Sequence, residues 1–200
     1  MNQTMKSFIS DSILDMVNSN VKIILSNKND VLFCTDSMDR SNGYFCGNPR
    51  EFCVAVNKPQ KQWLPVFIHE YNHFLQWKEK SKEWFDCRDY FFDPWLSGKE
   101  YARRTINVGI RTIINVELDC EKRSVQMIKD RNLPINIDDY IKKANAYVLF
   151  YSIIKEKREW YNVSPYDVSE IIDVMPNYFL DDYSKPPQKY KKLVLKHCFK

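Results

Sequence analysis

A chain of 200 residues that is 44% hydrophobic and 14% aromatic has ample apolar material for one core and is marginal for two. Its four glycines argue against a phosphate-cradling loop or a repeat of short strands joined by glycine turns. A net charge of +4, with 30 basic and 26 acidic residues interspersed, does not suit a nucleic-acid binder, because no stripe of Lys and Arg occurs before the last dozen residues.

The six cysteines, at 34, 46, 53, 87, 120 and 198, form no C-x-x-C pair. Met1–Ser10 is polar and shows no secretory segment, so free thiols in a reducing, cytoplasmic setting are expected. The longest uncharged run, Ala144–Ile154, is too short to span a bilayer, and no membrane partner is expected.

Ser7–Val17 carries apolar residues at 8, 9, 13, 14, 16 and 17, the spacing of a short amphipathic helix. Val21–Ser26 and Val31–Thr35 are β-rich runs around Asn27–Lys28–Asn29–Asp30, which predicts a hairpin. Asn42–Gly43 and Asn48–Pro49 introduce two further strands, Tyr44–Cys46 and Phe52–Val56, so residues 1–57 read as mostly sheet. Phe52–Val56 is expected at an edge, where it could bind an extended peptide by strand addition.

Lys58–Pro59–Gln60 hands the chain to a helix over 62–80, with Pro65 expected in the first turn, where its missing N–H is no loss. From Ser81 to Gly98 the periodicity fails, and Trp84, Phe85, Tyr90, Phe91, Phe92 and Trp95 crowd together. This aromatic segment reads either as a cleft wall or as a cluster covering a sheet edge. A long helix follows over 99–130, its apolar face running through Ile106, Ile110, Ile113, Ile114, Val125 and Ile128, until Leu133–Pro134 stops it. Asn136 or Asp138 can cap the next helix, and Ser164–Pro165–Tyr166–Asp167 opens a last one that ends before Pro176, filling 137–176. An irregular basic tail, 177–200, ends in Lys189–Lys200. With no linker or repeat, the expectation is one α+β domain over 1–200: a small N-terminal β-sheet, then an active-site helix, then a helical C-terminal half.

The chemistry concentrates in His69–Glu70–Tyr71–Asn72–His73, which holds two of the chain's three histidines. Positions i and i+4 of a helix share a face, so both imidazoles can reach one ion, and Glu70 is placed to touch a water bound to it. A catalytic zinc takes three protein ligands and leaves one position open. The longer H-E-x-x-H-x-x-G-x-x-H arrangement fails, because residue 76 is Gln and residue 79 is Glu; His197 lies in the Lys-rich tail and is expected to be solvated. Glu117 and Glu121 fall on the stripe that otherwise carries isoleucines, where carboxylates are expensive to bury unless a cation or strong hydrogen bonds meet them. Pairing with Lys or Arg on neighbouring turns is the bland alternative. Together with the H-E-x-x-H helix, the spacing assigns Glu117 to the metal and Glu121 to a hydrogen bond on the far nitrogen of a ligand histidine; the reverse assignment of the two acids stays open.

His69–Glu70–x–x–His73 with a glutamate on a downstream helix resembles the gluzincin metallopeptidases, the thermolysin-like group. The compact layout over residues 43 to 130 is similar to small ImmA/IrrE-type zincin domains and to uncharacterised metallopeptidases encoded by tailed phages, which would place the protein in a host cytoplasm. The resemblance implies Zn²⁺ held by His69, His73 and Glu117, with Glu70 as general base. The stretch between His73 and Glu117 is longer than usual in such domains, and position 121 is Glu where the family has Asp.

The expected function is therefore zinc-dependent hydrolysis of peptide bonds in a protein or peptide substrate, by a metal-activated water that Glu70 deprotonates. Tyr147, Tyr151, Arg111 and His197 are candidates to stabilise the oxyanion. The alternative is a zincin-fold regulatory or binding module without proteolytic activity. A third class, an anionic-surface or nucleic-acid binder using Lys189–Lys200, rests on that short basic run alone.

Overall fold

The structure is a computed structural model, and it describes residues 3–32 and 40–199. Cys34, residues 33–35 of the expected second strand, and Lys200 at the end of the basic run lie outside the described residues. The chain is mixed α/β, with a small three-stranded sheet in its N-terminal part and a helical C-terminal half. Packing divides it into two compact units, Met1–Phe85 with Lys122–Ile135, and Asp86–Glu121 with Asn136–Lys200.

In the first unit, α1 (Gln3–Asn18) buries Met5, Phe8, Ser12 and Met16, one side of a helix at three- and four-residue spacing. The strands are β1 (Lys22–Ser26), β2 (Val31–Leu32), β3 (Arg40–Ser41), β4 (Gly43–Gly47) and β5 (Arg50–Ala55). Among the described residues the expected hairpin does not form. β1 pairs in parallel with β5, Lys22 opposite Glu51 and Ser26 opposite Ala55, while β2 pairs antiparallel with β3. Asn27–Asp30 does bend the chain, but the bend feeds no β1–β2 ladder.

β4 lies antiparallel on the other side of β5, so the sheet order is β1-β5-β4. β5 is thus the central strand, and the expectation of an edge at Phe52–Val56 is overturned. Its flanks are already hydrogen-bonded: even past the ladder, Val56 N–H donates to Ser26 O at 2.9 Å and Ala55 N–H to Asn42 O at 2.9 Å. The physical reason lies in the residues: Phe52, Cys53, Val54 and Ala55 are all buried, as a strand covered on both faces requires.

α2 (Gln60–Glu79) packs on β4 and β5. It starts earlier than expected, after Pro59, which leaves Pro65 in the second turn rather than the first. The acceptor that loses its N–H partner there is the carbonyl of the exposed Lys61, which water can reach. The helix comes so close to the sheet at Gly43 that a Cβ there would stand 2.8 Å from Val66 Cγ1. Rings fill the interface at edge-on geometry, with Phe67 against Phe52 at 5.2 Å and against Phe8 at 6.0 Å, and Phe74 against Phe45 at 5.8 Å.

The segment after α2 holds two short helices, α3 (Lys82–Asp86) and α4 (Phe92–Leu96), ahead of α5 (Arg103–Asp130). In the second unit Phe91 and Trp95 are core residues, at 0% and 4% exposure, whereas Tyr90 stays exposed. α6 (Ile137–Lys157) is capped by Asn136, whose side chain accepts the Asp139 N–H at 3.0 Å. The single helix expected from Ser164 is instead a 3₁₀ turn, Pro165–Asp167, and α7 (Ser169–Ile172), separated by extended backbone at Val168.

The tail from Asn177 is not irregular to its end. Gln188–His197 forms α8, and it buries Tyr190 and Val194 while its lysines face outward or pair, as Lys191 does with Glu156. Tyr190 OH donates to Ala146 O at 2.6 Å. The intervening loop is held by the fully buried Asn145, which donates to Pro176 O and Tyr178 O, both at 2.9 Å, and accepts from the Tyr183 hydroxyl. Among the described residues no helix is long and apolar enough to cross a membrane.

Candidate metal centre

α2 brings His69 and His73 together. Their rings meet edge to face with centroids 4.6 Å apart, and the two Nε2 atoms are 3.1 Å apart. Two ligand nitrogens at about 2.0–2.1 Å from a tetrahedral zinc stand about 3.3 Å apart, so the pair already has nearly the bite that an ion needs. His73 is buried and His69 half-buried. The ring of Trp84 lies 5.9 Å from that of His73 and 5.7 Å from that of Phe45, so one residue of the aromatic segment backs the histidine in this unit.

The far nitrogen of His73 is also engaged. Nδ1 lies 2.8 Å from Oε1 of Gln76, a residue at 0% exposure. An amide oxygen accepts only, so Nδ1–H is the donor to it, and in the neutral ring the lone pair is then on Nε2. Sequence reasoning missed Gln76, having noted it only as the residue that breaks a longer motif. The signal was there: position i+3 of the same helix reaches the ring of His73.

Glu70 is buried at 8% exposure, on the same turn as His69. Its charge reaches the thiol of Cys53 in β5, a small addition to the burial and the Glu51 charge that push that thiol up to about 11. Asn72 is a structural neighbour: its amide donates to Ile68 O at 2.9 Å and to Ser124 Oγ at 3.1 Å, tying α2 to the part of α5 that belongs to this unit. All five described cysteines are thiols; burial also pushes Cys87 up to about 12 and Cys198 up to about 11, which keeps them protonated and poorly nucleophilic.

The acids of α5 belong to the second unit. Glu117 is half-buried and accepts a hydrogen bond from Tyr151 OH at 3.3 Å; Tyr151 OH in turn shares a 2.8 Å bond with Tyr147 OH. Burial, then the charge of Glu117, holds both phenols well above their usual range, so they stay protonated donors. Glu121, one turn on, is buried at 6% exposure. Its charge reaches Tyr183, whose hydroxyl burial pushes up to about 12. Of the other oxyanion candidates, Arg111 is exposed, and His197 is not solvated as expected: on α8 its Nε2 is buried with no hydrogen-bond partner. Compared with models of protein families, with curated proteins and with solved structures, the chain matches none.

Proposed function

We propose that the chain is a zinc-dependent metallopeptidase of zincin-like architecture, acting in the cytoplasm on proteins or peptides. The observation that carries this reading is the His69–His73 pair: two Nε2 atoms 3.1 Å apart, one of them kept as a lone pair by a buried amide behind its ring. Glu70 beside them adds a buried carboxylate, which is what hydrolysis requires and a purely structural site does not.

The third donor is assigned to α5, with Glu117 as ligand and Glu121 as the acid behind a ligand histidine. Cys120, which lies between them in the sequence, is the alternative donor on that helix. A bound zinc would supply Lewis acidity and a water acidified toward neutrality. The chain's own residues do the rest. Glu70 accepts the proton of the attacking water and returns it to the leaving amine. Tyr151 and Tyr147, kept protonated, are the donors available near Glu117 for charge that develops on the substrate carbonyl oxygen.

The test is metal content with matched variants of the full chain. About one zinc per chain is expected. Glu70→Gln should retain the metal and lose hydrolysis of a denatured protein substrate, and His73→Ala should lose the metal. Glu117→Ala should lose it too; zinc kept by Glu117→Ala and lost by Cys120→Ala or Glu121→Ala would move the third ligand to that residue. A purified chain that carries no zinc and binds none when it is added ends the metallopeptidase reading.

A further inference from the structure

Buried amides are costly unless their polar atoms are used, and α2 contains two of them. The use of Asn72 is structural, since it joins a helix carbonyl to Ser124 on α5. Gln76 sits at the C-terminal end of the same helix, and its side-chain oxygen lies 2.8 Å from a ring nitrogen of His73. Its backbone is held as well: Gln76 O accepts the Ser81 N–H at 2.9 Å, and the following Lys80 takes the left-handed conformation, φ 56°, that closes the helix. A side chain anchored in this way, at 0% exposure, has little freedom to turn away from His73.

We infer that Gln76 is a positioning residue that fixes the tautomers of both histidines and so prepares His73 to bind a cation. With Nδ1–H of His73 donating to Gln76 Oε1, Nε2 of His73 is an acceptor. Nε2 of His69, 3.1 Å away, must then carry its proton and donate to it when no ion is bound. The two rings therefore hold opposite tautomers, and a metal needs to displace only the His69 proton to find both lone pairs. A neutral amide does this without adding a second negative charge beside Glu70. The inference rests on the metal-site reading for its purpose, but the tautomers themselves do not depend on any metal.

The experiment measures ¹⁵N–¹H long-range correlations of the histidine rings in the metal-free full chain, in mildly alkaline buffer. His73 should be the Nδ1–H tautomer and His69 the Nε2–H tautomer. Gln76→Leu should remove the His73 preference and weaken zinc binding about 10–100-fold, the range typical of lost partners behind a ligand histidine. Gln76→Glu, which keeps an acceptor oxygen at the same reach, should restore both the tautomer and the affinity. If Gln76→Leu does not fold, the wild-type spectrum and the Gln76→Glu variant still decide.

Wild-type His73 protonated on Nε2 would overturn the inference, and so would a Gln76→Leu chain that folds and binds zinc within about twofold of the wild type. The failures are separable. No zinc bound by the wild type ends the metallopeptidase reading whatever the tautomer, whereas an Nε2–H His73 removes the role of Gln76 and leaves the zinc stoichiometry standing.

Discussion

Glu51 shows how a single buried carboxylate ties the stability of the sheet to pH. Lys22, its register partner across β1 and β5, donates to Oε2 at 2.6 Å, and the Tyr44 hydroxyl donates to Oε1. The Lys22 bond, then the Tyr44 bond, holds the carboxyl below its ordinary value against the opposing effect of burial. A folded-state value below the unfolded one means that the unfolded chain binds the extra proton, so this stabilisation is complete above the unfolded carboxylate range and is lost as pH falls through the folded value. Lys22 is largely exposed, so its share is about 1 kcal/mol or less; the Tyr44 bond is buried and its removal costs about 1–3 kcal/mol. Urea unfolding should show Tyr44→Phe as the weaker protein near neutrality, with the gap to the wild type closing in acid. A gap that stays constant with pH would mean that the phenol stabilises the sheet by packing alone.

Gly109 on α5 is a corresponding case for a helix. A Cβ at this position would lie 1.9 Å from Cε1 of Phe91, a ring at 0% exposure. Alanine is the better helix former by about 1 kcal/mol, so on propensity alone Gly109→Ala should stabilise the chain. The overlap should reverse that sign, because over-packing a closed core costs about 1–3 kcal/mol. Thermal unfolding should therefore place Gly109→Ala below the wild type, and Phe91→Leu should rescue it in the double variant; a stabilised Gly109→Ala would show that the ring yields freely. Elements like α5 were legible because their apolar spacing is local. The partner of β1 was not, since a parallel pairing with β5 leaves no turn signal, and Asn27–Asp30 pointed to the nearer strand instead. At the site, His69, Glu70 and His73 could be read from their spacing, and Gln76 could have been. The Glu117–Tyr151–Tyr147 chain joins α5 to α6, and no local pattern announces it.

Across the molecule, the largest departure from the expected layout is the C-terminal segment. Lysines dominate its composition, yet Tyr190, Val194 and Cys198 recur every four residues and are all at 0% exposure. They belong to the core of the second unit together with Leu149, Phe150 and Ile153 of α6. Fully burying such side chains is worth about 1.5–3 kcal/mol each, so the set contributes on the order of 5 kcal/mol, a large part of the 5–15 kcal/mol that holds a typical domain folded. A solvated basic run and a docked helix then predict opposite results for a chain that stops at Pro187. If the lysines were a free anionic-surface binder, truncation would leave the fold intact and remove only heparin retention. With α8 as a core element, truncation should strip hydrogen-exchange protection from α6 and from the 103–121 part of α5. Substituting the exposed Lys189, Lys192 and Lys196 by Gln should leave that protection in place, because their side chains take no part in the buried stripe. Full protection in the truncated chain would return the segment to the role of a tail.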